Sequence, residues 1–259
     1  SFSENTAADF KKKLAKLEAE KIDGLIIDVR GNPGGYLQSI EEILKDLVPK
    51  HKPYVQIEER NGDKQKFYSD ITEKKPYPIV VLIDKGSASA SEILAGAMKE
   101  AGGYKLVGET TFGKGTVQQA IPMGDGSNIK LTLYKWLTPD GHWIHGKGIK
   151  PDVAVEQPEF FHVAPLHVEK PFTYDMNDEQ IANAQKMLKG LGFDPGRTDG
   201  YFSKETETAV KAFQKANKLP ATGRIDETTA NVLQTKIMEA IRDPKHDVQL
   251  KAALHVLFP

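Results

Sequence analysis

The fold is decided by residues 78–98, PIVVLIDKGSASASEILAGAM. The run from Ile79 to Ile83 has no polar face, so it predicts a β-strand that is buried on both sides of a sheet. A turn of small residues follows, and an apolar helix begins near Glu92. A hydroxyl at such a strand-to-helix turn lies close to the free N–H groups of the helix, which suits a nucleophile that generates an oxyanion. The alternative is that these serines act only as helix caps and turn residues.

A second strand, turn and helix lie upstream. The apolar run from Leu25 to Val29 leads into RGNPGG, residues 30–35, and then into a helix from about Leu37 to Leu47. Strands that alternate with helices are typical of an α/β fold, in which functional loops follow the carboxyl ends of the strands. We therefore expect the loops after Val29 and after Asp84 to lie on the same edge of one sheet.

Several shorter strands complete the predicted first domain. Residues 54–59 and 66–68 alternate around an Asn-Gly turn, which predicts a β-hairpin. Further strands are predicted near residues 105–107, 116–122 and 128–136, and the last two are joined by the turn MGDGS.

The composition excludes several classes of protein. The chain has 259 residues, of which 39% are hydrophobic and 27% charged, so it is long enough for two domains. A net charge of −1 argues against nucleic acid as a partner. Because cysteine is absent, disulfides, thiolate nucleophiles and cysteine zinc sites are excluded. No apolar run approaches the roughly 20 residues that a membrane-spanning helix needs.

The loop at residues 108–115, GETTFGKG, does not fit a phosphate-binding loop, because glycine stands where Ser or Thr should follow the lysine. A better interpretation is that Lys114 acts as a base, since a desolvated lysine can take the proton of a serine without any histidine. His142 and His145 have the spacing His-x-x-His, but no third ligand lies beside them in the sequence, so a surface role is favoured over a metal site.

Three strings together carry a family resemblance: DVRGNPGG at 28–35, GSASASEI at 86–93 and TFGKGTVQQ at 111–119. They resemble the C-terminal processing peptidases, also called tail-specific proteases, over residues 1–157. The resemblance implies an α/β-sandwich catalytic core and a Ser-Lys dyad that cuts proteins near the C-terminus. Members usually carry a PDZ domain ahead of the core. Because the chain opens on a helix without an initiator methionine, we expect an N-terminally truncated fragment, and whether that fragment is active by itself stays open.

The resemblance also assigns the site residues. The family's nucleophile is the middle serine of Ser-Ala-Ser-Ala-Ser, 25 positions before the lysine, which selects Ser89 and Lys114. Gln118 is implied to orient the lysine amine. The oxyanion is assigned to the backbone N–H groups of Ala90 and of Gly35, with Gly34 as the alternative to Gly35. No cofactor and no metal ion are implied. For Arg30 we favour a structural ion pair over a catalytic role.

The second half of the chain is a separate unit. Residues 158–172 contain three prolines and predict a linker or strap along the first domain. Residues 173–237 resemble the peptidoglycan-binding-domain-1 family, through strings such as GLGF at 190–193 and DGYF at 199–202. That resemblance makes peptidoglycan a candidate partner, although a module of this kind can also serve as a brace. The tail, 238–259, predicts two short amphipathic helices that need a partner surface, and we expect them to form a homodimer contact.

These expectations combine into one function. The protein is expected to be a serine endopeptidase that acts on flexible C-terminal segments, laid along an exposed strand by backbone pairing. Its expected location is outside the cytoplasm, in the bacterial cell envelope. The rival interpretation is a catalytically silent cell-wall-binding or scaffold protein that keeps the peptidase fold.

Overall fold

The computed structural model describes all of residues 1–259 and divides into two compact units. Residues 1–156 and 249–259 form the first unit, and residues 157–248 form the second. The first unit combines parallel and antiparallel sheets with helices, which confirms the predicted α/β class. None of the helices combines the length and the apolar character that crossing a membrane requires.

The elements of the chain are as follows. The strands are β1 Leu25–Asp28, β2 Val55–Glu58, β3 Lys64–Phe67, β4 Ile79–Ile83, β5 Lys105–Gly108, β6 Thr116–Pro122, β7 Asn128–Leu137 and β8 Val153–Ala154. The helices are α1 Thr6–Ala19, α2 Leu37–Leu44, α3 Ala90–Gly96, α4 Glu179–Gly190, α5 Lys204–Ala216, α6 Glu227–Arg242 and α7 Val248–Leu257. A π-helical segment, Ala97–Ala101, continues α3, and a 3-10 turn spans Glu159–His162.

The first unit contains two four-stranded sheets. One is parallel, in the order β1-β4-β5-β8, and the other is antiparallel, in the order β3-β2-β7-β6. The predicted hairpin is confirmed, because β2 and β3 pair antiparallel with Val55 opposite Phe67. Strand β6 lies at an edge, so one side of its backbone is free to pair with another chain.

Strand β4 is buried on both faces, as its unbroken apolar run predicts. Ile79, Val81 and Ile83 face a core that also holds residues of α1, α2 and α3. Val80 and Leu82 face the opposite side of the sheet, where apolar residues of α7 cover them. This alternation is the period of two that a strand imposes on its side chains.

The C-terminal tail finds its partner surface within its own unit. Ala253 and Leu257 of α7 are buried against Val80, Leu82 and Val107 of the parallel sheet. The predicted pair of short tail helices is corrected in part, because residues 238–242 continue α6 and only α7 is a separate helix. The inward face of α7 is therefore occupied, which leaves only its outward residues for any contact with a second copy.

The second unit is a helical bundle with well-capped helices. The side chains of Asp178, Ser203 and Asp226 accept hydrogen bonds from the first turns of α4, α5 and α6. Such caps satisfy N–H groups that have no partner inside the helix. The predicted linker belongs to this unit, because Phe160 and Phe172 are buried in its core.

Two buried glutamines form the same pattern of hydrogen bonds in the second unit. The amide of Gln185 on α4 donates to the Tyr201 carbonyl at 2.8 Å and accepts from the Gly200 N–H at 3.0 Å. Gln214 on α5 likewise donates to the Arg224 carbonyl at 2.8 Å and accepts from the Gly223 N–H at 3.0 Å. Each glutamine therefore fixes the glycine-bearing loop that leads into the next helix.

Candidate active site

Loops from three parallel strands meet at one edge of the sheet, as the strand-turn-helix pattern predicts. Strands β1, β4 and β5 run parallel, so the loops that follow them leave from the same side. Asp84 joins two of these loops, because its carboxylate accepts from the N–H groups of Gly31 at 2.8 Å and Gly86 at 2.9 Å. The turn after β1 is therefore fixed to the turn after β4.

The three serines of the turn have different surroundings. Ser87 and Ser91 are fully buried, and their hydroxyls donate to the carbonyls of Val29 at 2.7 Å and Asn32 at 2.9 Å. Both therefore hold the β1 loop against the β4 loop. Ser89 is half-buried and is the serine of the three that lines the cavity at this edge.

The backbone at Ser89 is strained. Its φ is +55° and its ψ is −116°, a region that residues with a Cβ rarely adopt. Strained strand-to-helix turns of this kind expose the nucleophile of hydrolases at the top of a sheet. Gly34 packs directly against this turn, since a Cβ on Gly34 would lie 2.9 Å from the Ser89 Cβ.

Ser89, Lys114 and Gln118 line one cavity of about 230 Å³. The rest of the lining combines apolar side chains, Leu37, Ile93, Val117 and Trp136 among them, with Thr116 and Lys130, and no carboxylate takes part. A concave site that combines apolar side chains with a few polar groups is the usual form of a ligand-binding cleft.

Lys114 is held by its main chain, while its side chain has no acidic partner. Its carbonyl accepts from the indole Nε1 of Trp136 at 2.8 Å, and its N–H donates to Glu92 at 2.7 Å. Lys114 is half-buried, and no ion pair involves it. The carboxylate that contacts Lys114 is that of Glu92, and it binds the main-chain N–H rather than the side chain.

The fully buried carboxylate of Glu92 connects the loop of Ser89 to the loop of Lys114. One oxygen accepts from the Ser89 N–H at 2.9 Å and the Lys114 N–H at 2.7 Å. The other accepts from the Thr111 hydroxyl and the Gly113 N–H, both at 2.6 Å. All four partners are donors, which matches a carboxylate because it only accepts.

Gln118 lines the cavity, and its side chain is hydrogen-bonded to Thr132 rather than to the lysine. Its side-chain amide donates to the Thr132 hydroxyl at 3.3 Å, and the structure contains no hydrogen bond between Gln118 and Lys114. Strict alternation along the strand predicts that Val117 points away from the side of Gln118, yet both residues line the cavity. The pairing of β6 with β7 is irregular at this point, because Val117 pairs with Tyr134 and Gln118 with Thr132, which leaves Leu133 of β7 as an extra residue.

The two glycines offered for the oxyanion hole differ in their hydrogen bonds. The N–H of Gly34 already donates to the Asn32 side chain at 3.0 Å. The N–H groups of Gly35 and Ala90 have no acceptor within the chain, and both residues line the cavity with Ser89. Of the two glycines, Gly35 is therefore the one with a free donor.

Comparison with known proteins identifies the family. Residues 1–155, more than half of the chain, match peptidase family S41. The chain belongs to peptidase family S41. Residues 177–233 of this S41 peptidase match the peptidoglycan binding domain family, in agreement with the resemblance of the helical module.

Curated relatives of this S41 peptidase are C-terminal processing proteases. It is 63% identical to the carboxy-terminal processing protease CtpB of Bacillus subtilis and 39% identical to CtpA of the same organism, each over 257 residues. Those matches cover 99% of this chain and 54% of each relative, so the chain spans about half the length of the curated relatives it matches. The S41 peptidase is therefore homologous to carboxy-terminal processing serine proteases.

A solved structure gives the same result for the fold. The photosystem II D1 C-terminal processing protease superposes with a TM-score of 0.57 at 34% sequence identity. The match covers 62% of this chain and 41% of that protein.

Sequence reasoning missed the role of Glu92 in this S41 peptidase. The signal was present, because Ser89 and Glu92 have the Ser-x-x-Glu spacing of a capping box, in which the glutamate accepts from the N–H three residues before it. The spacing contains no information about the other three donors, which come from a loop distant in sequence.

The remaining polar candidates have structural surroundings. Arg30 forms an ion pair with Asp28 at 2.7 Å, and its guanidinium also donates to Gln249 at 3.1 Å. His142 lies 3.2 Å from a carboxylate oxygen of Glu100. The structure contains no group of three or more His, Asp or Glu side chains that could hold a metal ion.

Proposed function

We propose that this chain is the catalytic part of a serine endopeptidase that cuts proteins near flexible C-terminal segments, with Ser89 as nucleophile and Lys114 as general base. The observation that carries the proposal is the shared cavity, in which a serine on a strained turn meets a lysine without an acidic partner. Glu92 supports it, because its carboxylate fixes the main chains of both residues.

The first half of the proposed reaction is acylation. The hydroxyl of Ser89 attacks a peptide carbonyl carbon while the neutral amine of Lys114 takes its proton. The resulting oxyanion is stabilised by the N–H groups of Ala90 and Gly35, which have no acceptor in the free chain. The C–N bond then breaks, Lys114 returns the proton to the leaving amine, and an ester remains on Ser89.

The second half is hydrolysis of that ester. Water attacks the ester carbonyl while Lys114 takes a proton from the water, and the same two N–H groups stabilise the second oxyanion. The bond from the carbonyl carbon to Ser89 Oγ breaks, and the proton returns to the serine. Gln118 is proposed to orient the Lys114 amine once substrate fills the cavity, which requires its amide to leave Thr132.

The proposed substrate is an extended segment of a protein chain. Strand β6 is a free edge beside the cavity, so a peptide can add to the sheet through backbone hydrogen bonds. The names of the relatives describe C-terminal processing, which supports a segment near the C-terminus.

The test is covalent labelling of Ser89 by a fluorophosphonate probe, together with hydrolysis of an unfolded protein. We expect labelling of the wild type and none of Ser89→Ala. Lys114→Arg keeps the positive charge but cannot act as a base, so it should lose at least about 100-fold in rate. Equal rates in the three proteins would refute the dyad and favour a silent scaffold.

The proposed partners and location have tests of their own. We propose that the helical module binds peptidoglycan, which its family match supports, and that the protein acts in the cell envelope. Failure of the chain to co-sediment with purified peptidoglycan would contradict the first proposal, and recovery of the native protein from the cytosolic fraction alone would contradict the second.

We also propose a homodimer. Leu254 lies on the outward side of α7 and is 44% exposed. If α7 forms the contact, Leu254→Ser should weaken the dimer in light scattering. A monomeric wild type would contradict the proposal.

A further inference from the structure

The catalytic cavity contains a second lysine that the proposed mechanism does not use. Lys114 and Lys130 are the charged residues among those that line it, and no aspartate or glutamate lines it. Because the proposed mechanism uses Lys114 as a neutral amine, Lys130 is the one ammonium of this lining, and an ammonium attracts negatively charged groups.

Lys130 lies on strand β7, in the same row as the polar residues of the cavity. Gln118 of β6 pairs with Thr132, and Ala120 pairs with Lys130. Residues two positions apart on a strand share a face, so Lys130 is on the face of Thr132 and Gln118. Two residues along a strand correspond to about 7 Å.

The Lys130 ammonium has no partner within the chain. Lys135, on the same strand, forms an ion pair with Glu58 at 3.4 Å, whereas no carboxylate pairs with Lys130. The residue opposite Lys130 is Ala120, whose methyl group does not block a long side chain. Lys130 is exposed, so it can extend over Ala120 toward the free edge of β6.

We propose that Lys130 is a specificity-determining residue, which binds a carboxylate of the protein substrate about two residues from the scissile bond. This inference rests on the proposed function, because it takes Ser89 to mark the scissile bond and β6 to pair with the substrate. The carboxylate has two possible sources, an aspartate or glutamate side chain and the C-terminal carboxylate of the substrate. Both present the same planar anion to the ammonium.

The experiment uses peptides that differ in one carboxylate. Glutamate is placed in turn at each of the three positions on either side of the cut, against a glutamine peptide as reference. A second set keeps glutamine and compares a free C-terminal acid with an amide, which separates the two sources. We measure kcat/KM for cleavage, and the Kd of labelled peptides for the Ser89→Ala protein.

Charge reversal gives the decisive comparison. We expect glutamate at one or two positions, or the free acid, to raise kcat/KM about fivefold and to lower Kd by a similar factor, as a partly exposed ion pair allows. Lys130→Gln should remove this ratio, and Lys130→Glu should reverse it so that a lysine peptide is preferred. The effect should shrink as salt is added. Lys66→Gln, on the far edge strand β3 and also without an acidic partner, is the matched control and should keep the wild-type ratio.

The outcomes separate the inference from the proposed function. If the wild type shows no preference for any carboxylate, binds none of the peptides, or keeps its preference in Lys130→Glu, the inference is wrong. Labelling of Ser89 by the fluorophosphonate probe in the same samples would then leave the dyad intact. If Ser89→Ala cleaves as fast as the wild type, the proposed function is wrong, and the inference about Lys130 that rests on it is wrong as well.

Discussion

Replacement of Glu92 by glutamine is the sharpest test of how the site is held together. Glutamine has nearly the shape of glutamate, but one of its two terminal atoms is an NH₂ donor. The two carboxylate oxygens of Glu92 each accept two hydrogen bonds, at 2.6 to 2.9 Å. If the NH₂ replaces the oxygen at Ser89 and Lys114, two N–H donors face another donor; at the other end the Thr111 hydroxyl can turn to accept, so only the Gly113 N–H faces a donor.

The size of the loss in stability and activity follows from how deeply the hydrogen bonds to each oxygen of Glu92 are buried. The bonds from Thr111 and Gly113 are buried, whereas those from Ser89 and Lys114 are partly buried. A buried donor without a partner costs about 1–3 kcal/mol, and the less costly orientation of the glutamine leaves one such donor, so Glu92→Gln should destabilise the first unit by about 1–3 kcal/mol. We expect at least about 1.4 kcal/mol of this destabilisation to act on the position of Ser89. Because about 1.4 kcal/mol corresponds to a factor of ten in rate, kcat/KM should fall by at least about tenfold.

The assay measures peptide cleavage and thermal unfolding of the same protein. We expect kcat to fall with little change in KM, because Glu92 is fully buried behind the proposed dyad and is not exposed to a substrate. The matched control is Glu109→Gln, which makes the same chemical change at a buried glutamate paired with Lys85 at 2.7 Å. The control should keep kcat/KM within about twofold of the wild type. A folded Glu92→Gln protein with wild-type kcat would refute the positioning role.

Three further predictions concern the turn, the tail and the module. Gly34→Ala should remove most probe labelling, because the φ of Gly34 is +101° and a new Cβ would lie 2.9 Å from the Ser89 Cβ. Gly31→Ala, at a φ of +61° with no atom within 4 Å of the new Cβ, should cost only about 1–2 kcal/mol and keep labelling. Leu257 lies on the buried side of α7, so Leu257→Ala should lower the free energy of unfolding, measured in urea, by about 2–4 kcal/mol. Leu254 is 44% exposed, so Leu254→Ala should lower it by less than about 0.5 kcal/mol. Hydrogen bonds from the hydroxyl and the N–H of Thr229 lower the pKa of Asp226 in the folded protein. The stability that Asp226 contributes to the fold is therefore present above its unfolded-state pKa and is lost as pH falls through its folded-state pKa. Asp226→Asn should therefore flatten the acid side of the stability curve of α6, read by hydrogen exchange; an unchanged curve would contradict this.

The local elements were predictable because each has a strong local signal. The unbroken apolar run of β4 and the Asn-Gly turn between β2 and β3 each predicted the element that the structure contains. The course of the tail was not predictable in the same way. An amphipathic helix shows that a partner surface exists, but only the folded sheet shows that α7 covers Val80 and Leu82 of its own unit.

The register at the site was also beyond sequence reasoning. The irregularity between Val117 and Gln118 has no glycine or proline to mark it, so strict alternation was the natural expectation. Bulges of this kind often redirect side chains beside active sites. Here the extra residue is Leu133 on β7, and Val117 and Gln118 of β6 both line the cavity.

The strained backbone at Ser89 explains why the turn contains further serines. A residue with a Cβ holds a positive φ of this kind only where its surroundings fix it from several sides. Ser87 and Ser91 provide two of these attachments through their hydroxyls, and Glu92 provides a third at the Ser89 N–H. Because the two serines donate to carbonyls of the loop that carries Gly35, the same bonds that hold the turn of Ser89 also position the free N–H proposed to stabilise the oxyanion. A change at Ser87 or Ser91 should therefore disturb the position of Ser89 and that of the Gly35 N–H together, although both serines are fully buried.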